Sequence, residues 1–335
     1  MPPPSAMNAL AFLAGVAVMY WSVPLGCLLY CIKWLHFGGP RDDMFQWARL
    51  VSRCFGVTLL RVGTPELFRT ASPVMYLANH RCWADFFLDV FATEGRAAML
   101  SRWAVFPVFP VFLASAMLLK GVIFFRRDRV PDKTAFNAFL DACIARSPVS
   151  GLMIYPEGHR STAPASLPLR RGMLAYAHSR RMPIQVVITK DKEKVLSEKR
   201  LRAAFGARLK IGYSPVLQSS DFPDFESFMA AVQAAWDETW WRVYEGGATD
   251  CVPLDPRGVA GAVYPLHMKV AQALYSIVAI ALLLAAVWLC VRLATATAAS
   301  RAVAAGLVSL VALAVHRAKV TAPRASAPVA CVRAL

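Results

Sequence analysis

The stretch Val74-Met75-Tyr76-Leu77-Ala78-Asn79-His80-Arg81-Cys82-Trp83-Ala84-Asp85 decides how this chain is read. It starts as a short apolar run, breaks into a polar turn and continues as a helical pattern over 84–93. Comparable apolar, β-branched runs fall at 58–62, 122–125, 152–155, 184–189 and 209–213. Helical patterns fall at 44–57, 133–146, 170–181 and 224–244. That alternation predicts an α/β domain, a mixed sheet flanked by helices.

His80 and Asp85 are five residues apart, about 500° of helix, so on one continuous helix they would point roughly 140° apart. They meet only if His80 lies in the turn and Asp85 in the first helical turn, its carboxylate folded back to the ring. Asp85 would then fix the imidazole tautomer and leave the other ring nitrogen free to take a proton. A histidine near its ordinary pKa of about 6.5 suits that task at neutral pH. A second strand and turn, Leu152-Met153-Ile154-Tyr155-Pro156-Glu157-Gly158-His159-Arg160-Ser161, adds a complementary group. Gly158 permits close backbone approach or positive φ, and Arg160 can grip a phosphate through two parallel hydrogen bonds. Taken singly, each segment also has a plain reading: a histidine capping a helix, and a tight turn with a surface arginine. Cys82 reads as a small residue packed at a helix start rather than as a nucleophile.

A chain of 335 residues that is 57% apolar and only 17% charged is neither disordered nor an ordinary soluble protein, and part of it must meet lipid. The formal net charge of +16 is unevenly placed. Residues 1–40 hold Lys33 and no acid, 257–335 hold eight basic residues and no acid, and 41–256 hold 28 basic residues against all 21 acidic ones. The division suggests an N-terminal membrane anchor over 1–40, a water-facing catalytic domain over 41–256, and C-terminal membrane segments with a basic tail over 257–335. More than half of the excess charge flanks apolar segments, where it reads as anchorage to anionic head groups. The modest excess in the centre, with no recognised module, argues against a nucleic-acid partner. Eight scattered cysteines without a C-x-x-C pair point to a reducing compartment rather than a disulfide framework.

Residues 7–32 and 270–291 form uncharged runs of 26 and 22 residues, each long enough to cross roughly 30 Å of hydrocarbon. The 14-residue run 302–315 leaves three options: a span borrowing residues 294–300, a re-entrant piece, or an interfacial helix. Lys33 and Arg41 follow the first run and nothing basic precedes it, which puts the central domain in the cytosol. Residues 103–119, broken by Pro107 and Pro110, read as a helical pair buried in the domain or dipping into one leaflet. The charged stretch 190–202 reads either as a surface for head groups or CoA phosphates, or as a solvated face.

Four blocks, in this order, resemble those of the PlsC-like glycerolipid acyltransferases, the group that includes the 1-acylglycerol-3-phosphate acyltransferases. Asn79-His80-x-x-x-x-Asp85 is similar to their first block. Gly121-Val122-Ile123-Phe124-Phe125-Arg126-Arg127 looks like the second, G-x-x-F-[IV]-x-R, with Arg127 in the arginine position and Arg126 beside it. Residues 155–161 are similar to the third, F-P-E-G-T-R-S, with His159 where the family usually has Thr. Residues 182–187 loosely match the fourth, an apolar strand opened by Pro, with Val186 in place of a second Pro.

The resemblance covers roughly residues 58–190 and implies an α/β acyltransferase domain, here between N-terminal and C-terminal transmembrane helices. It implies transfer of a fatty acyl group from acyl-CoA, as co-substrate, to a hydroxyl of a glycerol-phosphate lipid. The leading acceptor is lysophosphatidic acid, giving phosphatidic acid; glycerol-3-phosphate, dihydroxyacetone phosphate and other lysophospholipids are alternatives. His80 would be the base and Asp85 its orienter, while Arg126, Arg127, Glu157, Gly158 and Arg160 would form the acceptor site. A thiolate leaves readily, so neither cofactor nor metal is called for. The expected partners are membrane lipid, acyl-CoA and a lysophospholipid, the expected location is the endoplasmic reticulum membrane with the domain facing the cytosol, and the oligomeric state is open. The reading from another class is a non-catalytic lipid-binding membrane protein of the same fold.

Overall fold

A computed structural model describes residues 6–33, 43–118, 120–125, 132–149, 151–246, 251–257 and 265–319. The chain begins with α1 (Ala6–Lys33) and α2 (Asp43–Cys54), then alternates through β1 (Thr58–Val62), β2 (Met75–Ala78), α3 (Asp85–Ala92), β3 (Ala97–Arg102), α4 (Pro110–Leu118), β4 (Val122–Phe125), α5 (Lys133–Ala145), β5 (Gly151–Ile154), α6 (Arg171–Ser179) and β6 (Ile184–Thr189). It continues through α7 (Lys192–Val195), the short pair β7 (Leu196–Ser197) and β8 (Arg202–Ala203), β9 (Arg208–Tyr213), α8 (Phe225–Tyr244) and β10 (Cys251–Pro253), and ends in α9 (Leu266–Thr295) and α10 (Ala298–Arg317).

Eight of the strands form one mixed sheet in the order β10-β1-β9-β6-β2-β5-β3-β4. Strands β6, β2, β5, β3 and β4 are mutually parallel, β9 turns antiparallel to β6, and β1 runs parallel to β9. Parallel strands are covered on both faces, which is why β2, β5 and β6 read as continuous apolar runs and are buried throughout. Register places Met75 opposite Leu152 and Leu77 opposite Ile154, so the chain leaves β2 and β5 side by side at the same sheet edge. The turns containing His80 and Arg160 are thereby neighbours.

Strand β3 has no counterpart in the expected elements. Its sequence, Ala97-Ala98-Met99-Leu100-Ser101-Arg102, is weak in strand formers, and its place between β5 and β4 is set by tertiary packing. The small side chains have a use: a Cβ on Gly151 would lie 2.5 Å from the Arg96 carbonyl oxygen and 3.1 Å from Ala97 Cβ, so the two strands start in unusually close contact. Residues 103–119 begin with a 3₁₀ turn at Trp103–Val105 and continue into α4, which packs on α1 and α9.

The first uncharged run, read as a membrane anchor with a buried core helix as the alternative, packs part of its length into the core of the domain. Phe12 and Met19 are buried within it, and a Cβ on Gly15 would lie 3.1 Å from both Leu196 and Phe55. Residues 12, 15 and 19 recur at helical spacing, which gives the uncharged run a face that fits the domain. At the other end, α9 and α10 form a helical hairpin around a Thr297 cap whose hydroxyl and backbone are exchanged with Ser300. The run 302–315 is thus part of a 20-residue helix. Met268, Gln272, Ser276 and Ala279 of α9 are buried, whereas Leu282, Trp288, Leu293 and Val308 are more than half exposed. The end of α10 returns to the domain, where Phe205 N donates to Ala318 O at 2.9 Å. These two helices are long and apolar enough to cross a membrane, and their exposed faces are of the kind that meets lipid.

If α1 belongs to the domain core, Met19→Ala will destabilise the whole domain by about 2–5 kcal/mol. Thermal unfolding in detergent micelles, followed by the near-ultraviolet signal of the domain's tryptophans, will show a lower Tm. An unchanged Tm would mean that the helix hangs free of the domain.

Candidate active site

Strand β2 ends at Ala78, and the next side chain prolongs the sheet. Asn79 Nδ2 donates to Thr189 O at 3.0 Å, and Thr189 N donates back to Asn79 Oδ1 at 3.0 Å, so a side-chain amide replaces one rung between β2 and β6. The next residue is tied to the neighbouring turn: His80 N donates to Glu157 Oε2 at 2.7 Å, and Ser161 N donates to His80 O at 2.9 Å. The two turns are therefore stitched together.

Asp85, the first residue of α3, folds back over this turn. Its Oδ2 accepts from Arg81 N at 2.6 Å and Cys82 N at 3.0 Å, and lies 2.7 Å from His80 Nδ1. The structure has the arrangement that the five-residue spacing requires, with the histidine in the turn and the acid in the first helical turn. With Asp85 ionised, Nδ1 is the protonated nitrogen and Nε2 carries the free lone pair. Nε2 makes no hydrogen bond to the described residues, and 24% of the side chain is exposed. Tyr155 stacks on the ring, centroids 4.1 Å apart and planes 15° apart, which fixes its tilt.

Burial lowers the His80 pKa below its ordinary value; Asp85 opposes this, while Lys192 and Arg160 add to it. The neutral imidazole is the resting form at pH 7. Burial alone would raise Asp85, but the Lys192 charge, His80 and the backbone N–H of Arg81 hold it below the usual carboxylate range.

The other expected site residues divide. Glu157 is buried, its Oε2 serves the His80 backbone, and its Oε1 has no partner; burial pushes its pKa up to about 7. It holds the His80 turn from within the protein. Gly158 has φ +76°, where a side chain is strained, and its carbonyl accepts from Arg102 Nη2 at 3.2 Å. Arg160 Nη1 donates to Glu198 Oε1 at 2.5 Å, and Glu198 Oε2 also accepts from Trp83 N at 3.2 Å. Arg160 is thus leashed by a carboxylate, 36% of its side chain is exposed, and its charge acts on the His80 ring. Arg126 and Arg127 lie outside the described residues. His159 is exposed. Cys82 is buried, and burial raises its thiol pKa well above the ordinary value, in keeping with a packed residue.

Two participants were not singled out from the sequence as members of this site. Glu198 restrains Arg160, and Lys192 is completely buried beneath the dyad, 3.3 Å from Asp85 Oδ1. Both come from the stretch 190–202, which divides: Lys192 and Glu193 turn inward, with Glu193 paired to Arg81 at 3.0 Å, while Lys194, Lys199, Arg200 and Arg202 are exposed, as a solvated face would be, and Lys199 Nζ donates to Arg160 O at 3.0 Å. Alternating charge without hydrophobic period gave no sign that α7 turns inward. At the opposite end of the sheet, a cleft contains Arg61, Arg69 and Arg96, but these arginines are paired with Glu66 and Glu94.

The Acyltransferase family model matches residues 59–190, which include every described residue of the paired turns. No curated protein sequence matches the chain. Among solved structures, the fold is similar to the crystal structure of the 1-acyl-sn-glycerophosphate (LPA) acyltransferase PlsC from Thermotoga maritima, with a TM-score of 0.53 at 14% identity over 69% of this chain and 92% of that one.

Glu157 gives a test of the stitched turns. Its folded-state pKa is raised, so its contribution to stability is greatest below about pH 4.5 and is lost as pH rises through about 7. Glu157→Gln keeps a carbonyl acceptor for His80 N without that ionisation. The stability difference, measured by denaturant unfolding, will move in favour of the variant between about pH 4.5 and 7 and then level off. A difference independent of pH would contradict the buried, partner-poor carboxyl.

Proposed function

We propose, for a chain that carries an acyltransferase-family domain of PlsC-like fold, the transfer of a fatty acyl group from acyl-CoA to the free hydroxyl of lysophosphatidic acid, giving phosphatidic acid. The single observation that carries the reading is the 2.7 Å contact of His80 Nδ1 with Asp85, which leaves Nε2 without a partner among the described residues. Nε2 takes the acceptor's hydroxyl proton as its oxygen attacks the thioester carbonyl. Asp85 stabilises the imidazolium that forms. The tetrahedral intermediate collapses by breaking the C–S bond, and the departing CoA thiolate recovers the proton from His80. Such proton transfer by a positioned side chain typically contributes about 100- to 10,000-fold.

The Arg160 guanidinium carries a charge that acts on His80, and a phosphate monoester suits its fork. Its pairing with Glu198 keeps the arginine aligned, and an incoming phosphate would compete with that carboxylate. Both ends of the α9–α10 hairpin meet the catalytic domain, an arrangement that supports two crossings with the domain on one face of the membrane. That face is the cytosolic one in this proposal, where acyl-CoA is found, and the endoplasmic reticulum is the proposed membrane.

The test is purified full-length protein in phospholipid micelles, given labelled acyl-CoA and a panel of acceptors: lysophosphatidic acid, glycerol-3-phosphate, dihydroxyacetone phosphate and lysophosphatidylcholine. The expected product is phosphatidic acid, with His80→Ala reducing kcat/KM by about 100-fold or more. Because the His80 pKa is lowered and the neutral ring is the active form, kcat/KM will rise with pH along a limb below about pH 6.5 and be flat at pH 7. Product from a different acceptor would change the substrate. No transfer to any acceptor, or equal activity in His80→Ala, would favour a lipid-binding protein that keeps the fold without the reaction.

A further inference from the structure

Beneath the His80–Asp85 pair lies a second charged group that the reaction as written does not use. Lys192, immediately after Asp191 in the left-handed region at φ +68°, enters the protein with no exposed side-chain surface. Its ammonium donates to Asn79 O at 2.6 Å and to both oxygens of Asp89 at 2.9 Å, and it lies 3.3 Å from Asp85 Oδ1. Asp89 is equally buried, and its Oδ2 accepts from the Tyr155 hydroxyl at 3.0 Å. The same Tyr155 ring stacks on His80. A closed circuit of contacts therefore runs from the imidazole through Asp85, Lys192, Asp89 and Tyr155 back to the imidazole.

We propose that Lys192 and Asp89 are positioning residues that set the basicity of His80: Lys192 tempers the negative charge of Asp85, and Asp89 is the counterweight that restores it. The inference rests on the reading of His80 as the base. An Asp85 carboxylate next to Lys192 alone would be neutralised and would do little for an imidazolium. Burial pushes the Asp89 pKa up to about 7, while the Lys192 ammonium and the Tyr155 hydroxyl, both donating to it, favour the carboxylate; in that form the buried trio carries one net negative charge. The groups that face His80 are Asp85 and Asp89 from α3, Lys192 from α7, and Tyr155, Glu157 and Arg160 from β5 and its following turn. Of these, Lys192 touches the far side of the dyad and Asp89 touches Lys192, and neither occupies the open edge of the dyad. A pair retained only for packing would have no preferred sign of effect on the ring.

The signs give the experiment. Lys192→Met removes a positive charge and will raise the His80 pKa. Asp89→Asn removes a negative charge and will lower it. Lys192→Met with Asp89→Asn removes one of each and will return it close to the wild-type value. Each single shift is expected to be about one pH unit, the lower end of what a close charge produces.

The pKa is read on the full chain in micelles by NMR of 13C-labelled histidine, with the His80 signal among the six histidines identified by its loss in His80→Ala. The acid limb of kcat/KM will move in the same directions. If Lys192→Met alone fails to fold, the downward shift in Asp89→Asn and its reversal in the double variant decide the matter. Shifts of one sign, or none, in folded variants would overturn the proposal. The two readings fail separately: shifted pKa values without acyl transfer by wild type would retire the reaction and keep the network, and acyl transfer without the shifts would do the reverse.

Discussion

Asp85 Oδ2 has three neighbours to satisfy at once: the backbone N–H groups of Arg81 and Cys82, and Nδ1 of His80. The two backbone bonds fold the carboxylate over the turn at the start of α3, where the helix terminus favours negative charge. The third bond then has little choice of direction. An imidazole held this way has one tautomer and one exposed nitrogen, and both properties follow from a carboxylate that would be costly to bury with fewer donors.

The rest of the fold brings the arginine to the same place. Parallel pairing of β2 with β5 sends both chains out of the sheet at one edge, and the backbone bond from Ser161 to His80 fixes the separation of the turns. Asn79 ties β2 to β6, and Glu157 holds the His80 amide from inside. Behind this frame α1 and α9 meet, with a helical hairpin whose outer face is apolar. The site and the long apolar helices are therefore parts of one packed body.

Much of this was legible in the sequence because the signals are local. The strands with β-branched runs, the turn after Ala78 and the Pro-Glu-Gly turn after Tyr155 are all short-range patterns that agree with the fold. Strand β3 was not legible, since alanines at its start are chosen for close approach to Gly151 and carry no strand signal. Lys192 was hidden for a different reason. A lysine among alternating charges looks solvated, and only the fold reveals that two aspartates one helical turn apart on α3 wait for it. The N-terminal run showed its apolar character at once, but the pairing of Gly15 with Phe55 and Leu196 is a tertiary fact.

The most direct measurement of the central claim is an experimental structure of the full chain in a lipid nanodisc with lysophosphatidic acid and a non-transferable acyl-CoA analogue bound. The account predicts the acceptor hydroxyl within hydrogen-bond reach of His80 Nε2, about 2.6–3.2 Å, with Asp85 still on Nδ1 and the lipid phosphate on Arg160. A hydroxyl bound away from that nitrogen, or an imidazole turned off Asp85 in the complex, would contradict it.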